Sequence, residues 1–377
     1  MRQQLYITML ALMTGLHASA QDAAKSEDFK PSGKVWGYVF GDYYYKMNAD
    51  SSKRGNLEYA GQEKDYDAFS LRRAYLGYDY NISEHLSTEI LLSHESNVDA
   101  NSNRTVFIKA ANLRIKNICK SFDIVIGQVA TPSFPLLEEK IWGYRSVEKT
   151  IADQRKIAGS NDLGITMQGK FNQKGTLGYN LMIGNGSGTK LESDKYKRFY
   201  GDLWAKFFNQ KLVVDLYGDY ERVQLSPYYK GRRVMKAFVA YQTDPVTIGV
   251  TYVMQTQEQF SISTPPGGVS DTADIAASGF SVFVRGPIKK DKLNFFARFD
   301  SFNPDNNFKA DNAYTSGSQP VTETFITAGL DWMINKNVHI MPNFWYDGFN
   351  SRAKNASGKV KSDNDAVARI TAYFVFK

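Results

Sequence analysis

The sequence has little of what a disulfide-bonded, helical-membrane or multidomain protein requires. It contains one cysteine, Cys119, so no disulfide can form within the chain. No run of about 20 apolar residues follows the first 20 positions, which excludes a helical membrane protein. No linker or break in composition divides the 377 residues, so one large folded unit is the simpler interpretation.

Patterns typical of catalysis or metal binding are also scarce. The sequence has only four histidines: His17, His85, His94 and His339. None has a convincing nucleophile beside it, and with one cysteine they give no zinc-binding spacing. The glycine-rich stretch 184–188 lacks the spacing of a phosphate-binding loop, and the acidic stretch 300–312 lacks that of a defined calcium site. We therefore predict no enzymatic activity, no cofactor and no metal.

The N-terminus has the pattern of a secretory signal peptide. Arg2 precedes a mostly apolar run from Leu5 to Leu16, and Ala18-Ser19-Ala20 forms a cleavage site of small residues. An ordinary N-terminal helix is the alternative, but the apolar run is too short to span a bilayer. The predicted divisions of the chain are a signal peptide at 1–20, a short periplasmic segment at 21–32 and a barrel domain at 33–377.

Aromatic residues, glycines and alternating patterns are what the sequence has in abundance. It contains 23 tyrosines, 24 phenylalanines and 29 glycines, which favours strands and turns over helices. Apolar and polar residues alternate with a period of two in runs of about ten residues. In Phe69–Tyr80, Ala74 and Leu76 belong to one parity, whereas Arg73 and Tyr75 belong to the other. Each run therefore predicts a strand with one apolar face.

About sixteen such runs follow one another, separated by seven short turns that alternate with eight longer polar loops. The short turns include 81–84, 172–175, 209–211, 243–245, 289–292 and 335–337. The longer loops fall at 49–65, 97–105, 131–161, 186–197, 223–233, 257–276, 303–320 and 349–365. This asymmetry is typical of a transmembrane β-barrel with short periplasmic turns and long extracellular loops.

A soluble β-sandwich is the alternative fold, because its strands would alternate in the same way. Aromatic residues near strand ends favour the membrane, since they match the girdles that barrels place at the bilayer interfaces; examples are Tyr78, Tyr179, Tyr220 and Phe344. Within lipid the strands must close into a ring, because no water satisfies an unpaired edge. The sequence therefore predicts an all-β, transmembrane antiparallel β-barrel of about sixteen strands.

Two short motifs carry a family resemblance. The stretches Phe69–Tyr78 and Gly127–Pro132, together with the strand and loop pattern of the whole mature chain, resemble the phosphate-selective porin O/P family in its Bacteroidetes-type form. The resemblance implies a sixteen-stranded porin, commonly trimeric, with loops folded into the lumen and a basic pore. One departure is Lys377, which follows Phe376 at the position where such barrels usually end on an aromatic residue.

Five arginines lie on the polar parity of the predicted strands and are expected to project into the lumen: Arg73, Arg114, Arg285, Arg298 and Arg369. A guanidinium suits oxyanions such as phosphate, and rings of basic side chains select anions in pores. Acidic residues share the same faces, including Asp162, Asp215, Asp219 and Asp300. Two interpretations stay open: an anion-binding pore lining, or charges that only neutralise one another.

The longest loop, 131–161, is predicted to form the constriction. It combines apolar residues able to pack on the barrel wall with basic residues expected to face the passage. The apolar residues are Phe134, Leu136, Leu137, Ile141 and Trp142, and the basic residues are Lys140, Arg145, Lys149, Arg155 and Lys156. The alternative is a loop that folds on the extracellular rim, because long loops need not enter a lumen.

These patterns predict a Gram-negative outer-membrane porin for passive diffusion of small hydrophilic solutes. The porin is expected to prefer anions, and phosphate is one candidate. The net charge of +7 favours such a preference. The expected partners are small anionic or hydrophilic solutes, outer-membrane lipid and lipopolysaccharide, and two further copies in a homotrimer; no nucleic acid is expected. The alternative is a barrel that acts as a surface receptor, adhesin or assembly partner without significant channel activity.

Overall fold

The computed structural model describes residues 29–119, 122–133, 137–225, 228–316, 321–352 and 362–377. The predicted signal peptide therefore lies outside the described residues. The strands are β1 Ser32–Asn48, β2 Asp67–Asn81, β3 Leu86–His94, β4 Phe107–Cys119, β5 Phe122–Ala130, β6 Asn161–Lys170, β7 Leu177–Gly184, β8 Arg198–Phe207, β9 Leu212–Leu225, β10 Tyr228–Gln242, β11 Thr247–Thr264, β12 Asp271–Lys289, β13 Leu293–Asn303, β14 Ala313–Ser316, β15 Val321–Asn335, β16 Val338–Ser351 and β17 Asp363–Phe376. Two short helices, α1 Glu138–Trp142 and α2 Ile151–Gln154, lie between β5 and β6. Among the described residues, no helix is long and apolar enough to cross a membrane.

Sixteen of the strands form a closed antiparallel ring, which confirms the predicted fold class. Each strand pairs with its neighbours in the chain, and β1 also pairs with β17, so that Gly37 lies opposite Phe376 and Tyr43 opposite Ile370. The remaining strand, β14, pairs with the end of β11 and is not part of the ring. Because the ring has no open edge, every strand can satisfy its backbone hydrogen bonds at membrane depth.

The period of two places apolar side chains outside and polar side chains inside. On β6, Leu163 and Ile165 are 47% and 45% exposed on the outer surface, whereas Asp162 and Thr166 face inward and are buried. The same holds on β17, where Ile370 is exposed and Arg369 is buried. The outer surface is therefore a continuous apolar band suited to lipid, and the strand charges collect in the lumen.

The predicted turns match the observed ones, but two predicted loops are much shorter than expected. The stretch 223–233 is largely strand, because β9 extends to Leu225 and β10 begins at Tyr228. The stretch 257–276 is also mostly strand, leaving only residues 265–270 between β11 and β12. Both hairpins extend beyond the apolar band, where their sequence is more polar. The alternation of apolar and polar residues therefore ends before the backbone pairing of the two strands does.

Deleting residues 373–377 is expected to prevent barrel assembly. Residues Tyr373–Phe376 pair with β1 on one side, and Tyr373 and Phe374 pair with the first residues of β16 on the other. Their loss leaves unpaired backbone groups on both neighbours within lipid. Heat-modifiable migration in gels measures the folded fraction, and deletion of Lys377 alone, which follows the last paired residue, is the control. A truncated chain with the parent's heat-modifiable band would contradict this expectation.

Candidate functional site

The described residues of the 131–161 segment, 131–133 and 137–161, lie inside the barrel and pack on its inner wall. At the end of α1, Trp142 is 1% exposed and its ring contacts Phe283 of β12 and Phe296 of β13, with centroids 5.1 and 6.1 Å apart. Gly143 ends this helix with a φ of +73°, a conformation that a glycine adopts without strain. The turn at Gly143 directs the following residues across the lumen.

A second apolar cluster anchors the other end of this segment. Ile151 and Ile157 are buried together with Val125 of β5, Met182 of β7 and Val253 of β11. These strands lie on different sides of the ring, so the segment contacts much of the inner wall. The two clusters fix the segment at both ends.

Strand arginines hold the middle of the segment through its backbone carbonyl groups. Arg72 Nη1 donates to Ser146 O at 2.6 Å, and Arg285 Nε donates to Ile141 O at 2.6 Å. Arg298 donates to Lys149 O, and Arg369 donates to Val147 O. Carbonyl groups of an irregular segment lack the backbone partners that a β-sheet supplies. Charged donors from the wall therefore satisfy their hydrogen bonds. Our parity analysis did not select Arg72. It belongs to this set because the register between β1 and β2 shifts there: Phe40 pairs with Arg73 and Gly41 with Leu71, which leaves Arg72 as an extra residue between them.

Three of these arginines, Arg72, Arg298 and Arg369, also lie beside carboxylates of the wall. Arg298 Nη2 lies 2.5 Å from Asp300 Oδ2, and Arg369 Nη1 lies 3.5 Å from Asp42 Oδ2. All four of these side chains are 4% exposed or less. Arg298 and Arg369 are therefore engaged both by carboxylates of the wall and by carbonyls of the segment.

The other two predicted lumen arginines occupy different surroundings. Arg73 is buried, and its Nη1 lies 2.9 Å from Glu58 Oε1. Arg114 lies apart from the 131–161 segment, with Nη1 3.5 Å from Asp123 Oδ2 and a side chain that is 40% exposed. The Arg114 guanidinium therefore borders open space.

The basic residues of the 131–161 segment divide into paired and open groups. Arg145 Nη1 lies 3.1 Å from Glu139 and 2.9 Å from Asp153 within the segment itself. Arg155 is fully buried, 2.6 Å from Glu323 of β15. Lys140 and Lys156 are exposed and Lys149 is half-buried. Arg145 and Arg155 therefore hold the segment in place, whereas the lysines keep access to solvent.

A second loop, 49–66, also enters the lumen, and we did not predict this from the sequence. The Tyr59 ring stacks on Tyr44 of β1 with centroids 3.7 Å apart, and its hydroxyl donates to Asp42 at 2.8 Å. Glu58 Oε2 accepts from Arg72 Nε at 2.5 Å. The stretch Leu57-Glu58-Tyr59, an apolar pair around an acid in a polar loop, is the signal that could have indicated it.

The pKa of Glu58 reflects these contacts. Burial by itself raises the pKa of this carboxyl, but the guanidinium groups of Arg72 and Arg73 outweigh burial and lower the pKa from 4.5 to about 2. An opposite charge within hydrogen-bonding distance favours the ionised form in this way. Glu58 is therefore ionised over the physiological pH range and keeps the loop tied to β2.

One cavity lies between the infolded segment and the wall, and a second lies along the same wall near the short turns. The extracellular cavity, of about 470 Å³, is lined by the segment, β4, the start of β6, the loop after β7 and β8. Its described lining contains six basic and two acidic residues: Lys109, Lys149, Lys156, Lys190, Arg198, Arg232, Glu95 and Asp153. The periplasmic cavity, of about 440 Å³, lies beside the short turns and includes Arg114, Gln168, Lys170 and Trp204.

Several of the extracellular cavity's basic residues are paired. Arg198 and Arg232 both contact Glu221, and Lys109 contacts Glu95. Lys149, Lys156 and Lys190 have no ion-pair partner within the part of the chain that the structure describes. These three lysines give the cavity its uncompensated positive charge.

Comparison with known proteins relates this chain to outer-membrane barrels by structure alone. No protein-family model and no curated protein sequence matches it. The outer membrane channel DcaP of Acinetobacter baumannii matches with a TM-score of 0.63 and 13% identity, covering 94% of this chain and 99% of that chain. An anion-selective porin from Comamonas acidovorans matches with a TM-score of 0.62 and 10% identity, covering 92% and 100%. The trimer form of OmpT from Vibrio cholerae matches with a TM-score of 0.57 and 11% identity, covering 92% and 100%.

At these identities the likeness establishes a shared barrel fold. The resemblance to the phosphate-selective O/P family stays a prediction, because the structural matches include porins of other kinds. Within the described residues, no group of three or more histidine, cysteine or acidic side chains could hold a metal ion.

Replacing Arg298 and Arg369 together by methionine is expected to release the 131–161 segment. Both guanidinium groups donate to its carbonyls, and their loss also leaves Asp300 and Asp42 without these partners. Breaking a buried pair in this way costs about 3–5 kcal/mol. We expect faster tryptic cleavage at Lys149 and Lys156 in the folded barrel.

The control for this release is Arg114→Met, which removes a lumen arginine that has no contact with the segment among the described residues. It is expected to leave the cleavage rate at the parent's value. Unchanged cleavage and unchanged thermal stability in the double variant would show that the two apolar clusters hold the segment without the arginines.

The contribution of Glu58 to stability is expected to depend on pH in one direction. Because its pKa is lowered on folding, its ion pairs contribute fully above the ordinary value of 4.5, and the contribution is lost as the pH falls through about 2. The melting-temperature difference between the parent and Glu58→Gln, followed from neutral to acid pH, measures it. Glu63→Gln, an exposed acid in the same loop, is the control. A difference that has vanished by about pH 4 would contradict the lowered pKa.

Proposed function

We propose that this chain is a porin of the Gram-negative outer membrane that allows passive diffusion of small hydrophilic solutes and prefers anions. The observation that carries the proposal is a closed sixteen-stranded ring in which an infolded segment leaves basic, solvent-accessible cavities at both ends. A ring of this size is wide enough for an aqueous channel. In this proposal residues 1–20 are the signal peptide that directs export.

The proposed passage follows one side of the barrel. Strands β4, β6 and β8 line both cavities, so a solute could move along the same wall from the extracellular to the periplasmic end. Between the cavities, Ile157 and Ala158 share an apolar cluster with Val125, Met182 and Tyr200. We assign the constriction to this level, where the 131–161 segment packs on the strands of the passage.

Anion preference is supported by the charges that the pairing leaves over. Lys149, Lys156 and Lys190 border open space at the outer cavity, and Arg114, although 3.5 Å from Asp123, is partly exposed at the inner cavity. Side chains of this kind raise the local concentration of anions and oppose cation entry in a confined passage. Phosphate belongs to the oxyanions that such lysines and Arg114 would bind, and the O/P resemblance points the same way.

Trimeric assembly is part of the proposal, supported by the O/P resemblance and by the trimer form reported for the structurally similar OmpT of Vibrio cholerae. The apolar outer band would contact outer-membrane lipid, and the long loops would contact lipopolysaccharide.

A second candidate function follows from how densely the lumen is packed. Two loops and three apolar clusters occupy it, and such filling suits a barrel that acts as a surface receptor, adhesin or assembly partner. Planar-bilayer conductance separates the two functions, because stable open-channel currents are expected only of the porin.

Replacing Lys149, Lys156 and Lys190 together by glutamine is expected to shift the reversal potential toward cations. Charges in a hydrated passage are screened over about 8 Å at physiological salt, so the shift should be larger in dilute than in concentrated salt. The matched control replaces three exposed lysines at short turns, Lys174, Lys211 and Lys290, and should keep the parent's selectivity. A triple variant with parental selectivity in dilute salt would place the three lysines outside the conduction path.

A further inference from the structure

An apolar groove of about 500 Å³ lies on the outer face of the barrel, near the short turns. Its apolar lining comes from four strands that are consecutive neighbours in the ring. These residues are Leu293 of β13, Leu330 and Trp332 of β15, Ile340 and Pro342 of β16, and Ile370 of β17. The groove therefore crosses the face that the fold turns toward lipid.

Pro342 lies at the centre of this groove. Its compact ring is exposed on β16, opposite the longer side chain of Ile370 on β17. On the other side, the backbone pairs of β15 and β16 pass from Gly329–Asn343 to Trp332–Ile340 with no pair between them. Proline has no N–H to donate, which accounts for this interruption. A short ring among longer side chains leaves a depression in the lipid-facing surface.

Two lysines complete the lining at the periplasmic end. Lys289 and Lys292 belong to the turn between β12 and β13, where Lys292 N donates to Lys289 O at 3.1 Å. Lys290 lies between them, so the turn carries three exposed lysines against one acid, Asp291. None of the three has an ion-pair partner among the residues that the structure describes. Positive charge is therefore left uncompensated at this end of the groove.

The groove has the depth of one lipid leaflet. Ile370, at its far end, lies six residues before Phe376, where β17 ends. At about 3.3 Å per residue and a tilt of about 45°, this distance corresponds to a depth of roughly 15 Å. The hydrocarbon core of a bilayer is about 30 Å thick. A chain in the groove would thus start at the periplasmic surface and end near the middle of the membrane.

We propose that this groove binds an anionic glycerophospholipid of the periplasmic leaflet. One acyl chain lies against Pro342 and Ile370, and the phosphate lies between Lys289 and Lys292. Lysine ammonium groups bind phosphate well, and basic sites at a membrane surface retain anionic head groups. A zwitterionic lipid brings its own ammonium group, which these lysines repel. The site selects one class of head group at one place, beyond the general contact of the outer band with lipid.

Trp332 provides a reporter within the groove. It is 57% exposed on the outer face, at the level where interfacial tryptophans are common. The structure describes all five tryptophans, and the other four face the lumen: Trp36, Trp142, Trp204 and Trp345. Bromine atoms on a lipid chain quench tryptophan fluorescence at short range. Quenching by a brominated lipid therefore measures how often that lipid occupies the groove.

The test uses the full folded chain in phosphatidylcholine vesicles that contain a small, equal fraction of brominated phosphatidylglycerol or brominated phosphatidylethanolamine. We expect phosphatidylglycerol to bind roughly fivefold more strongly, as the charge of a surface lysine implies. Replacing Lys289 and Lys292 together by glutamine should bring this ratio near one. The matched control replaces Lys174 and Lys211 at other short turns and should keep the parent's ratio. Pro342→Leu, which fills the groove without changing its charge, should lower the ratio as well.

Three results would overturn the proposal. Equal quenching by the two lipids in the parent would show that the groove does not select a head group. A preference that survives Pro342→Leu would reflect surface charge alone. Absence of quenching by either lipid, with Trp332→Phe confirming that Trp332 contributes to the emission, would show that a second copy of the chain covers this face. Heat-modifiable migration confirms that each variant is folded. Because no measurement uses conductance, failure of the porin proposal would leave this test unaffected.

Discussion

Closure of the hydrogen-bonded ring is the constraint on which the rest of this structure depends. A strand in lipid cannot leave backbone groups unpaired, so β1 must meet β17 and all sixteen strands must complete one sheet. Closure then divides every strand into an outer and an inner parity. The outer parity contacts lipid and must be apolar, so the ionisable side chains of the strands point inward. The crowding of arginines and aspartates in the lumen is a consequence of that division.

The crowded lumen is stabilised by the loops that enter it. An irregular segment brings carbonyl groups without partners, and the wall brings guanidinium groups that need them. Arg72, Arg298 and Arg369 meet this need for residues 146–149 while remaining beside Asp42 or Asp300. Buried charge is tolerated when it is both paired and hydrogen-bonded. The arrangement also decides which basic residues are left to act on a solute.

Pairing within the lumen separates residues that look equivalent in the sequence. Arg155 and Lys156 are neighbours in the segment, but one is fully buried against Glu323 and the other is open to the outer cavity. The aspartates differ as well: Asp300 has Arg298 beside it, whereas Asp202 shares a hydrogen bond with Asp215. The functional character of this barrel therefore depends less on how many charges it contains than on which of them lack a counterpart.

Local pattern was sufficient to predict the fold of this chain. Alternation with a period of two marks strand, face and turn, since it depends only on neighbouring residues; Ile165 outside and Arg369 inside follow from it directly. The same information cannot predict partners across the lumen, because Arg72 and Ser146, or Asn180 and Asp202, become neighbours only when the ring closes. The sequence by itself determined the barrel and the direction of its side chains. Tertiary structure alone decided three features: the entry of the 49–66 loop into the lumen, the extended hairpins, and which charged side chains remain open to solvent. These features depend on register and on contacts between distant parts of the chain.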